Sequence, residues 1–229
     1  VLVRSDAGVE VGTEAVWDLV ERKGLPAMLV VSKMDKEHAN FDQAYAQIRE
    51  RLSGKAIPVQ LPIGQGENFQ GLVDVALGKA FLYDDQGNVT EAEIPEEMRD
   101  AYESAREELY NAAAEHDDAL VEKFLEEGEL TYEEITKGIQ IGVRDRTFFP
   151  VCAVSATNGI GMRPLLHCIK EYLPSAADQQ EVSGLFHTLD GSGDGGVIGR
   201  FDIEIATGWP PLRFFGAPPA GQPGQLRDV

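Results

Sequence analysis

The apolar positions of the chain change period several times, and those changes predict its elements. Val1–Val3 reads as the end of a buried strand, AGVEVGTE as a loop, and Thr13–Lys23 as a helix carrying Val16, Trp17 and Val20, stopped by Gly24 and Pro26. Ala27–Val31 is a continuous apolar run of the kind buried on both faces of a parallel sheet, and Lys36–Leu52 is a helix with Phe41, Tyr45, Ile48 and Leu52 on one face. This β-α-β-α order predicts an α/β fold with a doubly wound parallel sheet. The pattern then changes. Ile57–Ile63 (IPVQLPI) and Gly71–Tyr83 (GLVDVALGKAFLY) read as strands, DDQGN as a turn, and Pro95–Phe124 as helix-rich, with Met98, Tyr102, Ala105, Leu109 and Ala112 forming one stripe. Thr131 followed by Glu134 predicts a capped helix start.

Thr147–Val154 (TFFPVCAV) returns to a buried strand and ends in Ser155-Ala156-Thr157-Asn158-Gly159. A helix from about Arg163 to Tyr172 follows, with Leu165, Leu166, Ile169 and Leu173 apolar. The β-α pattern therefore resumes after an insert with α+β character. The expected organisation is residues 1–56 as the first part of the α/β domain, 57–146 as an inserted acidic subdomain, 147–176 as the resumed domain, and 177–229 as a tail. That tail holds nine Gly and five Pro from Gly191 onward, and only Arg200–Ala206 in it reads as a strand.

Charge changes the picture in one region. The net charge is −19. Asp84–Lys137 alone carries 19 Asp/Glu against 4 Lys/Arg, or 4 − 19 = −15. A nucleic-acid-binding surface needs a basic face, and the chain has little to offer one; no apolar run reaches the roughly 20 residues a membrane span needs. The acidic stretch reads as solvated helix faces, or as a docking surface for a basic partner. The two cysteines, Cys152 and Cys168, form no disulfide framework or metal knuckle, which fits a reducing cytoplasm. The chain opens on VLV without an initiator Met, as the middle of a longer protein would.

The candidate chemistry lies at two strand ends. Ser32-Lys33-Met34-Asp35 ends one strand and Ser155-Ala156-Thr157 another, where doubly wound folds bind their ligands. A carboxylate there can accept from guanine N1–H and the N2 amino group together, a pair that adenine does not offer. A lysine stem can cover the ring, and turn amides can donate to O6.

At these residues the sequence resembles the translational GTPases. SKMD with a distant S-A looks like the fourth and fifth motifs of that family. DAGVEVGTEAVW (Asp6–Trp17), LPIG (Leu61–Gly64), GLVDVALGKAFLY, IPEEMRD (Ile94–Asp100) and PLLHCIKEYLPS (Pro164–Ser175) resemble bacterial elongation factor G over about Val1–Ala176. The 119 residues between Asp35 and Ser155 (155 − 35 − 1) match the inserted subdomain of elongation factor G, where elongation factor Tu-like proteins have a short connection. Release factor 3 and the ribosomal protection proteins are related alternatives.

The resemblance implies a partial P-loop-GTPase fold that binds GTP or GDP with magnesium and drives ribosomal translocation, with the insert facing the ribosomal stalk. It assigns Asp35 to guanine N1 and N2, Lys33 to the ring face, and Ser155, Ala156 and Thr157 to the turn at O6. Ser32 stands where the family has asparagine. No G-x-x-x-x-G-K-[ST] occurs in the chain, so the phosphate loop, switch segments and magnesium ligands are expected outside it, and the fragment alone is expected to be inactive.

The other expectations are bland. His167 beside Cys168 is no catalytic pair, because neighbours on a helix diverge. Cys152 is core, and Glu126, Glu127 and Glu129 are solvated. Asp190, Ser192, Asp194 and Gly195 echo a calcium loop, but its twelfth position is Phe201, with Asp202 one place late. A Gly-rich loop, or a frameshifted or truncated end, is the simpler reading. A non-catalytic acidic binding module remains the alternative for the whole chain.

Overall fold

In the computed structural model, residues 1–84, 86–115, 118–175, 182–187 and 197–203 are described. The chain divides into one unit over Val1–Asp178 and another over Gln179–Val229.

The first unit contains a four-stranded parallel sheet and a four-stranded antiparallel sheet. The parallel sheet is built from β1 (Leu2–Arg4), β2 (Leu29–Ser32), β3 (Ala56–Pro58) and, far later in the chain, β8 (Phe149–Ala153). Its order is β1-β2-β8-β3, so the distant strand slots between two that are close in sequence. Helix α1 (Val11–Lys23) links β1 to β2, α2 (Phe41–Arg51) links β2 to β3, and α6 (Met162–Tyr172) follows β8. The antiparallel sheet is β4 (Gln60–Ile63), β5 (Gly71–Asp74), β6 (Lys79–Tyr83) and β7 (Val89–Ala92), in that order. Helices α3 (Arg99–Ala114), α4 (Asp118–Glu127) and α5 (Tyr132–Asp145) complete the insert before β8. This is a mixed α/β fold in which a parallel sheet is interrupted by an inserted α+β subdomain.

Several elements depart from the sequence pattern for physical reasons. IPVQLPI is two strands in two sheets, and the boundary expected at residue 57 falls inside β3. Proline donates to no ladder and belongs on edges. Pro58 closes β3 and Pro62 lies in β4, each the edge strand of its sheet. Val59 between them donates to the Val151 carbonyl and accepts from the Val75 amide, joining the two sheets. GLVDVALGKAFLY is a hairpin rather than one strand. Gly78 takes φ 67°, its amide donates to the Asp74 carbonyl, and the Asp74 carboxylate accepts from the Leu77 amide. Val16 is 49% exposed while Trp17 and Val20 are buried, because successive helix positions cannot share one buried face. In α6 the buried positions are Leu165, Cys168 and Tyr172, and Leu166 and Ile169 are 62% and 41% exposed.

Helix α5 starts as the sequence predicts. The Thr131 hydroxyl accepts from the Glu134 amide (3.3 Å), the Glu134 carboxylate accepts from the Thr131 amide (2.8 Å), and Lys123 Nζ reaches both carboxylate oxygens at 2.9 Å. The Lys123 contact and the Thr131 amide lower the Glu134 pKa to about 2. A depressed carboxylate stabilises the fold above its unfolded pKa and loses that contribution as pH falls through the folded value. Wild type is therefore expected to unfold at higher temperature than Glu134→Gln at neutral pH. The gap should close between about pH 4.5 and about 2; thermal unfolding at stepped pH measures it, and a gap independent of pH contradicts it.

The second unit holds β9 (Val182–His187) paired antiparallel with β10 (Val197–Ile203), with an irregularity between Val197 and Gly199. Strand β10 begins three residues before the expected Arg200, and β9 carried no signal that separated it from the tail. The loop from Asp190 to Gly195, which echoes a calcium site, lies outside the described residues.

Candidate functional site

The site is built where β2 and β8 end side by side. Ser32 closes β2, and its hydroxyl donates to the Val3 carbonyl (3.2 Å), committing it to β1. The chain then turns sharply. Lys33 takes φ 61°, a left-handed conformation that costs a side-chain-bearing residue about 1 kcal/mol. The turn is held from two sides: the Lys33 carbonyl accepts from the Ser5 hydroxyl (2.8 Å) and from the Lys36 amide (3.1 Å). Met34 is fully buried, and its amide donates to the Val154 carbonyl, tying the turn to the end of β8. This leaves the Lys33 side chain exposed and presents Asp35 beside Ser155.

Asp35 and Ser155 are the centre of the arrangement. The Ser155 hydroxyl donates to Asp35 Oδ1 at 2.7 Å, and Lys36 Nζ sits 3.2 Å from Oδ2. The Asp35 side chain is only 8% exposed. Burial pushes its pKa up, but the Ser155 hydroxyl, Lys36 and its own backbone amide outweigh that and hold it below the ordinary value. An ionised carboxylate with two such partners still has free lone pairs on both oxygens, enough for two further donors.

Ser155 is fully buried, so its side chain aligns the carboxylate rather than facing outward. Its hydroxyl also accepts from the Asn158 amide (3.2 Å), and its own amide donates to the Ile160 carbonyl (3.0 Å). Those two bonds close a tight loop in which Ala156, Thr157, Asn158 and Gly159 are exposed. Among the described residues, the Ala156 and Thr157 amides have no intramolecular acceptor. A cleft of about 610 Å³ flanks Thr157 and Asn158.

The structure thus brings Lys33, Asp35, Ser155, Ala156 and Thr157 together and turns the Ser32 hydroxyl away toward β1. Three further residues shape the site without a sequence signal of their own: Ser5, Met34 and Asn158. Ser5 looks like an ordinary polar residue after a strand, and only the pairing of β1 with β2 puts it on Lys33. His167 and Cys168 diverge. The His167 ring meets the Tyr132 hydroxyl (3.0 Å), and Cys168 is buried against Gln60. Among the described residues no three His, Cys, Asp or Glu side chains group as a metal site. A single carboxylate already engaged by the Lys36 ammonium and the Ser155 hydroxyl does not fit a magnesium ion, which takes several oxygen ligands.

A family profile described as the elongation factor Tu GTP binding domain matches residues 1–175. The chain belongs to that family. Members are GTP hydrolases, with guanine nucleotide and magnesium as their general ligands. A crystal structure of ttk003000868 from Thermus thermophilus is similar, with 38% identity and a TM-score of 0.69. The match covers 81% of this chain and 29% of that one, so this GTP-binding-domain chain spans less than a third of its relative. The paired strand ends at Asp35 and Ser155 lie within the matched region.

Proposed function

We propose that the chain is the guanine-reading half of an elongation factor G-like translational GTPase that binds GTP or GDP and drives ribosomal translocation in the cytoplasm. One observation carries the base-reading part: an ionised, nearly buried carboxylate is aligned by Ser155 from 120 residues away, next to turn amides that find no acceptor among the described residues. Asp35 would accept from guanine N1–H and N2, the exposed Lys33 stem would cover the ring, and the Ala156 and Thr157 amides would donate to O6. The insert between β3 and β8 supports the elongation factor G assignment. The phosphates and magnesium would be held by parts of the protein outside this chain.

Ser32 gives a test of the base site. Asparagine at this position reaches further than serine and can bond both the base and a neighbouring backbone. Ser32→Asn in a protein that includes the phosphate loop is expected to tighten GDP binding about 5- to 30-fold, the scale of one buried hydrogen bond. Equilibrium titration measures it, and no gain contradicts the role given to this position.

The acidic insert is the proposed contact for the ribosomal stalk. Glu103 and Glu107 are exposed on α3, whereas Glu108 pairs with Arg49 at 2.7 Å and is engaged within the fold. Reversing Glu103 and Glu107 to lysine in the intact protein is expected to lower ribosome-stimulated GTP hydrolysis. Unchanged stimulation overturns the docking surface.

A further inference from the structure

The turn that joins β4 to β5, residues 64–69, reaches across to the Lys33–Asp35 loop. The Gly66 amide donates to the Met34 carbonyl at 2.9 Å, and the Gln65 side-chain oxygen accepts from the Phe41 amide at 3.0 Å. These bonds land on both ends of the segment that presents Asp35. Met34 directly precedes Asp35, and Phe41 opens α2, where a helix has unsatisfied amides.

The turn is shaped for this approach. Gly66 takes φ 62°, and a Cβ on it would lie 3.2 Å from the Lys36 carbonyl oxygen. Gly64 takes φ 76°, and a Cβ there would collide with the Asn68 carbonyl oxygen. The turn is closed on itself by Asn68 and Phe69 amides donating to the Gln65 and Gly66 carbonyls. The Asp35 loop is therefore held from three directions: Ser5 after β1, Val154 and Ser155 after β8, and the inserted antiparallel sheet.

We infer that Gln65 and Gly66 are positioning residues that set guanine selectivity, so that the inserted sheet fixes where the Asp35 carboxylate meets the base. This rests on the guanine reading of Asp35. Neither residue touches the base. They fix the backbone on either side of the residue that does, and a displacement of the insert would move Asp35 with it.

The test uses the full chain with guanosine and inosine as probes, read by amide chemical shifts. Inosine lacks the 2-amino group, so the ratio of the two affinities reports the second bond to Asp35. Gln65→Leu is expected to lower the guanosine-to-inosine ratio by about 3- to 10-fold, the scale of one misplaced hydrogen bond. Amide hydrogen exchange at Asp35, Lys36 and Phe41 should rise without any ligand. Gln65→Glu keeps an acceptor for the Phe41 amide and should restore both; a purely structural loss would not be rescued in this way. If the leucine variant does not fold, Gln65→Asn, one carbon short, takes its place with the same expectation. A wild-type preference for guanosine that survives both Gln65→Leu and Gln65→Asn overturns the positioning role alone. A wild-type chain with no preference for guanosine overturns the guanine reading and the selectivity role together, while the exchange rates still show whether the turn holds the loop.

Discussion

Replacing Asp35 with alanine is expected to lower guanine-nucleotide affinity on the order of 10²-fold, the result of losing about 3 kcal/mol from two charge-assisted hydrogen bonds. The variant should remain folded, because Asp35 sits in a loop whose backbone is held independently by Ser5, Lys36 and Val154. The Ser155 hydroxyl loses its acceptor but keeps the Asn158 amide. Asp35→Asn separates charge from shape. It preserves volume and an acceptor for Ser155, yet offers guanine one acceptor and one misdirected donor, so it too should bind poorly. The pH response has a defined sign. The Asp35 pKa is held below the ordinary carboxylate value, so binding should persist as pH falls through that range and fail only below it. Titration of GDP against a protein that includes the phosphate loop measures each of these. An Asp35→Ala variant that binds guanine nucleotide within about 3-fold of wild type, against an expected change of two hydrogen bonds, contradicts the role of the carboxylate.

The largest stability effect is expected at Phe149. This residue opens β8, the strand that lies between β2 and β3 and delivers Ser155. Its ring is buried, meets Trp17 edge-on with centroids 4.9 Å apart at 82°, and lies 6.0 Å beneath the Arg146 guanidinium. Its amide donates to the Lys55 carbonyl (3.0 Å) at the mouth of β3. Phe149→Ala removes the packing that joins α1 to the sheet and leaves a cavity between rigid elements, at a cost of about 3–5 kcal/mol. Phe149→Leu keeps most of the volume and should cost less than about 1.5 kcal/mol. Urea unfolding followed by Trp17 fluorescence gives both values. A change below about 1 kcal/mol for alanine would show that the site collapses freely, and the interlocked core described here would be wrong.

The legibility of the fold tracks the length over which each pattern persists. LPAMLVV and TFFPVCAV are unbroken apolar runs, so β2 and β8 and the polar residues at their ends stand out from sequence alone. The Thr131–Glu134 cap is equally legible, since both partners lie within one helical turn. The register of the sheet is not local. Nothing near Val30 or Cys152 says that they pair, and the contact from Ser155 to Asp35 follows only from that pairing. The two prolines of IPVQLPI were visible, but their meaning as two edges of two sheets depends on neighbours elsewhere in the chain. The hairpin within GLVDVALGKAFLY was masked because its turn, Val75–Gly78, is itself apolar up to the glycine.

The candidate site divides in the same way. Lys33, Asp35, Ser155, Ala156 and Thr157 announce themselves by type and by position after strands. Ser5, Met34, Gln65 and Asn158 do not: Ser5 and Gln65 act by side-chain bonds to the Lys33 carbonyl and the Phe41 amide, Met34 and Asn158 act through their own backbone groups, and residue type marks none of these contacts. Ser155 is expected as part of the turn at O6, and type alone does not reveal what its side chain does: it is fully buried, and its hydroxyl donates to the Asp35 carboxylate.

The most direct test of guanine reading by Asp35 is a titration of the full chain with guanosine and, separately, adenosine, followed by backbone amide shifts. Guanosine is expected to move the resonances of Lys33, Asp35 and Ala156–Asn158 together while adenosine leaves them in place. Equal responses to the two nucleosides, or guanosine shifts confined to other parts of the chain, would contradict it.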